Sequence, residues 1–145
     1  MVAVIELSID RTSLSAAPLV YTNEPGGNGW LDPDTAEPMF AFRYRYVPDS
    51  DLQPGSVLLG AVLEQSTLPA VIYLQAASTA ALRVLKDELV EAVSQFAYDV
   101  TLTIDGDAQT FAADPVWPRW VTDSGMVEAH LARTALQIPV NPPGA

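Results

Sequence analysis

The segment STAALRVLKDELVEAVSQFAYDVTLTIDGDAQTFAA, Ser78 to Ala113, decides the fold, because its hydrophobic period changes once from helical to extended. In its first half Leu82, Leu85, Leu89, Val93 and Phe96 recur at steps of three and four, which aligns them in one apolar stripe. Arg83, Lys86, Asp87, Glu91 and Ser94 fall outside that stripe. Ser78 or Thr79 can cap the helix by accepting from an orphan N–H. Arg83 and Lys86 precede Glu88 and Glu91, an order that opposes the helix macrodipole and so points to an interface as the reason for the charges. From Tyr98 the period is two, with Tyr98, Val100, Leu102 and Ile104 on one side and Asp99, Thr101, Thr103 and Asp105 on the other. Asp105-Gly106 then supplies the primed turn of a hairpin whose return strand is Gln109 to Ala113. A helix with one apolar stripe beside such a hairpin must bury that stripe against a sheet.

On the N-terminal side, residues 2 to 9 alternate, with Ala3, Ile5, Leu7 and Ile9 on one face, and read as a half-buried strand. With no basic n-region, this start is expected to be a strand and not a signal peptide. A short apolar piece, Leu19 to Thr22, precedes NEPGGNGWLDPDTAEP at 23–38, which holds three prolines, three glycines and four carboxylates without a basic residue. That composition predicts a long loop. Met39 to Val47 alternates again, placing Phe40, Phe42, Tyr44 and Tyr46 on one face and Arg43 and Arg45 on the other. Short apolar strands are expected at Val57 to Glu64 and, beyond Pro69, at Ala70 to Ala76. On the C-terminal side DPVWPRW breaks pairing with two prolines, and Met126 to Val140 reads as one long strand. Its apolar phase slips from Val127, Ala129 and Leu131 to Leu136, Ile138 and Val140, so a bulge is expected between Ala132 and Ala135. The expected fold is a single domain over 1–145: mainly β, a β-sandwich or barrel of about seven strands flanked by one α-helix.

Composition limits the chemistry. A 145-residue chain with 49% apolar residues can bury a real core, and 18 acidic against 7 basic side chains leave a net charge of −11. Such a surface repels phosphates, which argues against tight nucleic-acid binding, although a carboxylate-lined passage would let a polyanion slide through. The absence of cysteine excludes disulfides and thiolate chemistry, and the single histidine excludes a multi-histidine metal site. Apolar runs broken by Gly60, Glu64, Pro69 and Gln75 fall short of the ~20 residues that a spanning helix needs, so no membrane partner is expected. GGNG at 26–29 lacks the lysine and spacing of a phosphate cradle. Asp32 with Asp34, Asp49 with Asp51, and Asp105 with Asp107 read as turn chemistry and not as a calcium loop. No cofactor and no catalytic or metal site is expected.

Three groups of residues stand out as candidates. His130 and Glu128, two apart on one side of the expected strand, would suit a carboxylate-oriented general base, but no nucleophile motif accompanies them. Arg43 and Arg45 alternate with aromatics and, facing away from the rings, suit acidic surface of a neighbouring copy. Trp117, Arg119 and Trp120, around Pro118, concentrate the residue types that dominate interface hot spots. With Trp30 they also suit a carbohydrate-binding β-sandwich. Arg43, Arg45, Arg83, Lys86, Trp117, Arg119 and Trp120 form the expected subunit interface.

The element order from residue 56 to 142 resembles a known family. The strands VLLGAVLEQ and AVIYLQAAS lead into the helix TAALRVLKDELVEAVSQ; YDVTLTIDG, QTFAA, a W-P-R-W crossover and a closing strand ending LQIPVNP follow. This pattern resembles the ring-forming belt domain of siphophage distal tail proteins and related minor tail proteins, especially those of phages infecting actinobacteria. The resemblance implies a virion structural protein and not an enzyme, built in the host cytoplasm into a ring, commonly a hexamer, that joins the tail tube to the hub or tip. DNA would cross its lumen without specific binding. A tail terminator or tail-tube subunit, and a monomeric carbohydrate-binding module, are the alternatives. A small sandwich also has strand edges that invite pairing, which ring assembly satisfies through heterologous contacts.

Overall fold

The computed structural model describes residues 4–32, 42–48, 56–63, 65–121 and 123–142, with the backbone alone for 42–48 and 56–63. The strands are β1 (Ile5–Ile9), β2 (Leu19–Thr22), β3 (Gly29–Leu31), β4 (Phe42–Pro48), β5 (Ser56–Leu63), β6 (Ser66–Gln75), β7 (Tyr98–Ile104), β8 (Asp107–Ala113), β9 (Trp120–Val121) and β10 (Leu131–Val140). Helix α1 spans Thr79–Val93 and helix α2 spans Ser124–Glu128. The protein is mainly β: eight strands form one antiparallel, nearly closed barrel-like sheet in the order β2-β1-β7-β8-β10-β6-β3, with β9 added to β10. Among the described residues β4 and β5 pair only with each other, in a second, two-stranded sheet.

Strict alternation builds the interior. Ile5, Leu7 and Ile9 of β1, Val100 and Leu102 of β7, and Leu68, Ala70, Ile72 and Leu74 of β6 all point inward and are buried. Ser78 caps α1 by accepting from the Ala81 N–H at 3.1 Å, and Leu82, Leu89, Ala92 and Val93 carry the buried face of the helix. The end of α1 is fastened by polar groups. Gln95 donates through Nε2 to the carbonyls of Ala92 at 2.6 Å and Asp10 at 2.7 Å, while Val116 N–H donates to Val93 O at 2.8 Å. The Asp105-Gly106 turn has φ of 48° and 86° at its two central residues, as a primed turn requires.

The sheet has two weak lines. Between β8 and β10 the register holds a single pair, Val140 with Ala113, supported by Asp114 N–H to Pro139 O at 2.9 Å and Asn141 N–H to Ala112 O at 2.8 Å. At the other line β2 and β3 approach without pairing, and the Tyr21 ring fills the seam against Gly29. A Cβ built at Gly29 would lie 2.8 Å from Tyr21 Cε1 and 2.9 Å from Leu74 Cδ2.

Several expectations are corrected. Phe96 does not continue the helical stripe: α1 ends at Val93, and Phe96 is 93% exposed. The apparent phase slip in 126–140 is no bulge, because Val127 belongs to α2, Ala129 caps its end, and β10 begins at Leu131. From there Ala132, Thr134, Leu136, Ile138 and Val140 are buried in unbroken alternation, and all ten residues of β10 pair with β6. Thr134 hides the pattern in the sequence: its buried hydroxyl donates to Arg119 O at 2.8 Å. Pro69 lies inside β6 instead of ending it. Asp32 N–H donates to Val71 O, so the odd-numbered residues of β6 turn their polar groups toward β3, and Pro69 falls beyond the end of β3, where no N–H is needed. The loop expected at 23–38 contains β3, and its residues 33–38 lie outside the described residues.

Candidate interaction surface

Three outward-facing regions follow from the alternation. The first is the outer face of β1, β7 and β8. Across the strands Val20, Ser8, Thr101 and Thr110 form one row and Thr22, Glu6, Thr103 and Ala108 the next. The Thr101 and Thr110 hydroxyls are 2.9 Å apart. Asp99 is exposed on the same face, and Asp105 and Asp107 flank its turn. Side chains here are short, charged only by carboxylates, and include no lysine or arginine.

The second region lies around β9. Here α1, β9 and α2 enclose a small groove lined by Thr79, Leu82, Lys86, Val121, Met126 and Val127, with a volume of about 70 Å³. Lys86 Nζ stands over the Trp120 ring at 5.5 Å from its centroid. Arg133 is registered opposite Val121, and its guanidinium stands 5.9 Å from the Tyr73 ring centroid. Tyr73 in turn stacks on Trp30, with centroids 5.6 Å apart and planes 11° from parallel.

The third is a polar cleft of about 380 Å³ where β7 and β8 leave the sheet, lined by Asp10, Tyr98, Asp99, Asp114 and Asn141 among others. The Tyr98 hydroxyl lies 3.3 Å from Val93 O and 3.2 Å from Asp114 O. Burial first, and then the Asp114 charge, push the Tyr98 phenol far above its ordinary pKa, so it stays a hydroxyl donor. Tyr21 in the seam is raised in the same direction by burial and by Glu88, against a smaller opposing effect of Arg11. Among the described residues no three or more His, Asp or Glu side chains are grouped to hold a metal ion.

The expected interface residues separate. Lys86 and Trp120 come into contact, with Arg119 beside Trp120 and Arg83 one turn before Lys86 on α1. Trp117 lies elsewhere: its neighbour Val116 is bonded to the end of α1, and its own ring is 71% exposed. Trp120 is half-buried against the core, as its neighbour Arg119 is not. Arg43 and Arg45 lie on β4, opposite Val62 and Gly60, and their side chains lie outside the described residues, as do Asp34, Asp49 and Asp51. The pairing of His130 with Glu128 on one strand face is overturned. Glu128 ends α2, His130 turns the chain with φ of 52°, and its Nδ1 lies 3.5 Å from the Thr79 hydroxyl. The groove is hidden in the sequence, because 126–140 reads as one strand while its start belongs to α2.

Comparison of the sequence with protein-family models and with curated proteins finds no match. Among the described residues no helix is long and apolar enough to cross a membrane.

Proposed function

We propose that this chain is a structural, ring-forming component of a phage tail, of the distal tail or minor tail kind, that joins tube to tip. The observation that carries this reading is the β4–β5 sheet. Seven and eight residues pair in a hairpin that, among the described residues, joins no strand of the large sheet. Two strands alone are marginally stable in water, and SVLLGAVL is an apolar strand that needs cover. A hairpin of this kind is completed by another chain, and a closed ring of copies, a hexamer in the family that the sequence resembles, gives every hairpin the same cover. The carboxylate and hydroxyl face of β1, β7 and β8 supports the same reading, since a polyanion in transit would find no cation there to hold it. A tail terminator or a tube subunit would use the same features at another level of the tail.

Trp117 favours a second reading, a glycan-binding module, because an indole 71% exposed offers a free stacking surface. Electron microscopy of the purified full chain at high concentration, beside a glycan array, separates the two. The tail reading expects annular particles of one size. Dispersed single chains that bind a glycan, and lose it in Trp117→Ala, would establish the second reading in its place.

A further inference from the structure

β8 stands inside the strand order of the large sheet, yet along most of its length it is an edge. Asn141 N–H donates to Ala112 O and Asp114 N–H to Pro139 O, so the even-numbered residues of β8 turn their backbone groups away from β7. β10 meets β8 only at Val140 with Ala113. Farther back, the N–H and C=O of Ala108 and Thr110 and the N–H of Ala112 have no strand opposite them among the described residues. Asp107, Ala108, Gln109, Thr110 and Ala112 are all exposed. The residues after Asn141 cannot supply the missing donors, because Pro142 and Pro143 have no N–H. Without lysine, proline or a bulge, this edge carries none of the devices that keep a strand from pairing with another chain. The seam between β2 and β3 differs, since Leu31 there is buried and the Tyr21 ring fills the space.

We infer that this edge takes β4, from the β4–β5 hairpin of a second copy of the chain, as an added strand. Each element supplies what the other lacks: β8 has ladder groups without a strand, and the hairpin has two strands where three are needed for independent stability. With seven residues, β4 is long enough to lie along the open part of β8. Charge favours the same match. Arg43 and Arg45 are the charged residues of β4 and β5, whereas β7 and β8 carry Asp99 and Asp107 and no cation. Two β8 edges brought together would set carboxylates beside carboxylates. Edge and hairpin are different parts of the chain, so each copy gives one and receives the other, as a head-to-tail ring requires. The inference rests on the ring reading and adds to it the strand edge at which neighbouring copies join.

Proline substitution and cross-linking test it on the full chain. Ala108→Pro deletes one outward N–H while leaving the ladder to β7 intact, and is expected to weaken self-association about tenfold in sedimentation velocity, with unchanged thermal melting. Ala108→Ser keeps the N–H and is expected to associate as wild type does. Because the chain has no cysteine, Ala108→Cys in one preparation and Tyr44→Cys in a second, isotope-labelled one report which strands meet. Mixed and treated with a short bifunctional thiol reagent, they are expected to yield the mixed dimer, identified by its mass. Dimers formed only between two Ala108→Cys chains would overturn the inference in favour of two β8 edges pairing. Assembled particles without the mixed dimer, or a folded Ala108→Pro that assembles as wild type does, would overturn this junction and leave the ring reading standing. Should Ala108→Pro melt early, the cross-link alone decides. A wild-type chain that stays single at every concentration overturns both proposals.

Discussion

Phe111→Ala is expected to lower the stability of the chain by about 3–5 kcal/mol, measured by chemical denaturation, and to broaden the transition. Among the described residues Phe111 is the largest fully buried side chain, and it sits on β8, beside the sparsely paired line with β10. The β7–β8 hairpin is paired along seven residues, and β6 with β10 along ten, but β8 meets β10 through one register pair. Full ladders of hydrogen bonds therefore hold each half of the sheet together, while the line between the halves has only a few backbone bonds and depends mainly on side-chain burial. Removing the ring leaves a cavity on that line, where the surrounding backbone has few ladder bonds to draw it closed. A loss below about 1 kcal/mol would mean that the line is held by something other than the core, because surface substitutions already reach half of that.

Gly29→Val is expected to cost about 1–3 kcal/mol through overpacking, with Gly27→Ala as a control of different cause. The seam between β2 and β3 has no paired strands, and the Tyr21 ring occupies the space that a Cβ at Gly29 would take, at 2.8 Å. Tyr21 is buried and so cannot swing outward without leaving an opening in the core. At Gly27 the space is open and the cost comes from φ of 62°, a conformation that side chains rarely adopt. Combining Gly29→Ala with Tyr21→Leu is expected to recover part of the loss, whereas the same exchange at Gly27 is not. Equal behaviour of the two glycines would remove the Tyr21 contact from the account of how the sheet closes.

Where local chemistry decides an element, the sequence is readable. Ser78 caps α1, and Asp105-Gly106 makes a primed turn, because both depend on residues within a few positions of one another. Phe96 misleads because apolar spacing alone does not say where a helix stops; the polar anchoring of Gln95 to the Asp10 carbonyl fixes that end from a distant strand. Val127 and Ala129 mislead for the opposite reason. Asp123 caps a one-turn helix by accepting from Met126 N–H at 2.9 Å, and five helical residues are too few to show a period. β3 exists only because β6 offers an edge at Ile72 to Leu74, so nothing in GWL announces it.

The candidate surface is legible to a lesser degree. Lys86, Arg119 and Trp120 can be singled out as residue types, and the contact of Lys86 with Trp120 brings two of them together across thirty-four positions of sequence. The groove, by contrast, is made by α2 and by the register of β9 on β10, and neither is visible before the chain has folded. Arg133 is hidden for the same reason: its place beside Val121 is set by strand pairing.

The central claim is that the hairpin of β4 and β5 lacks its partner until another copy supplies one, and amide hydrogen exchange of the intact chain measures this most directly. In dilute solution, where the chain is single, the amides of β4 and β5 are expected to exchange fast while those of β6 and β10 stay protected. At concentrations that favour assembly, the β4 and β5 amides are expected to become protected as well. Hairpin amides protected to the same extent as β6 and β10 in a particle that remains one chain would contradict the account.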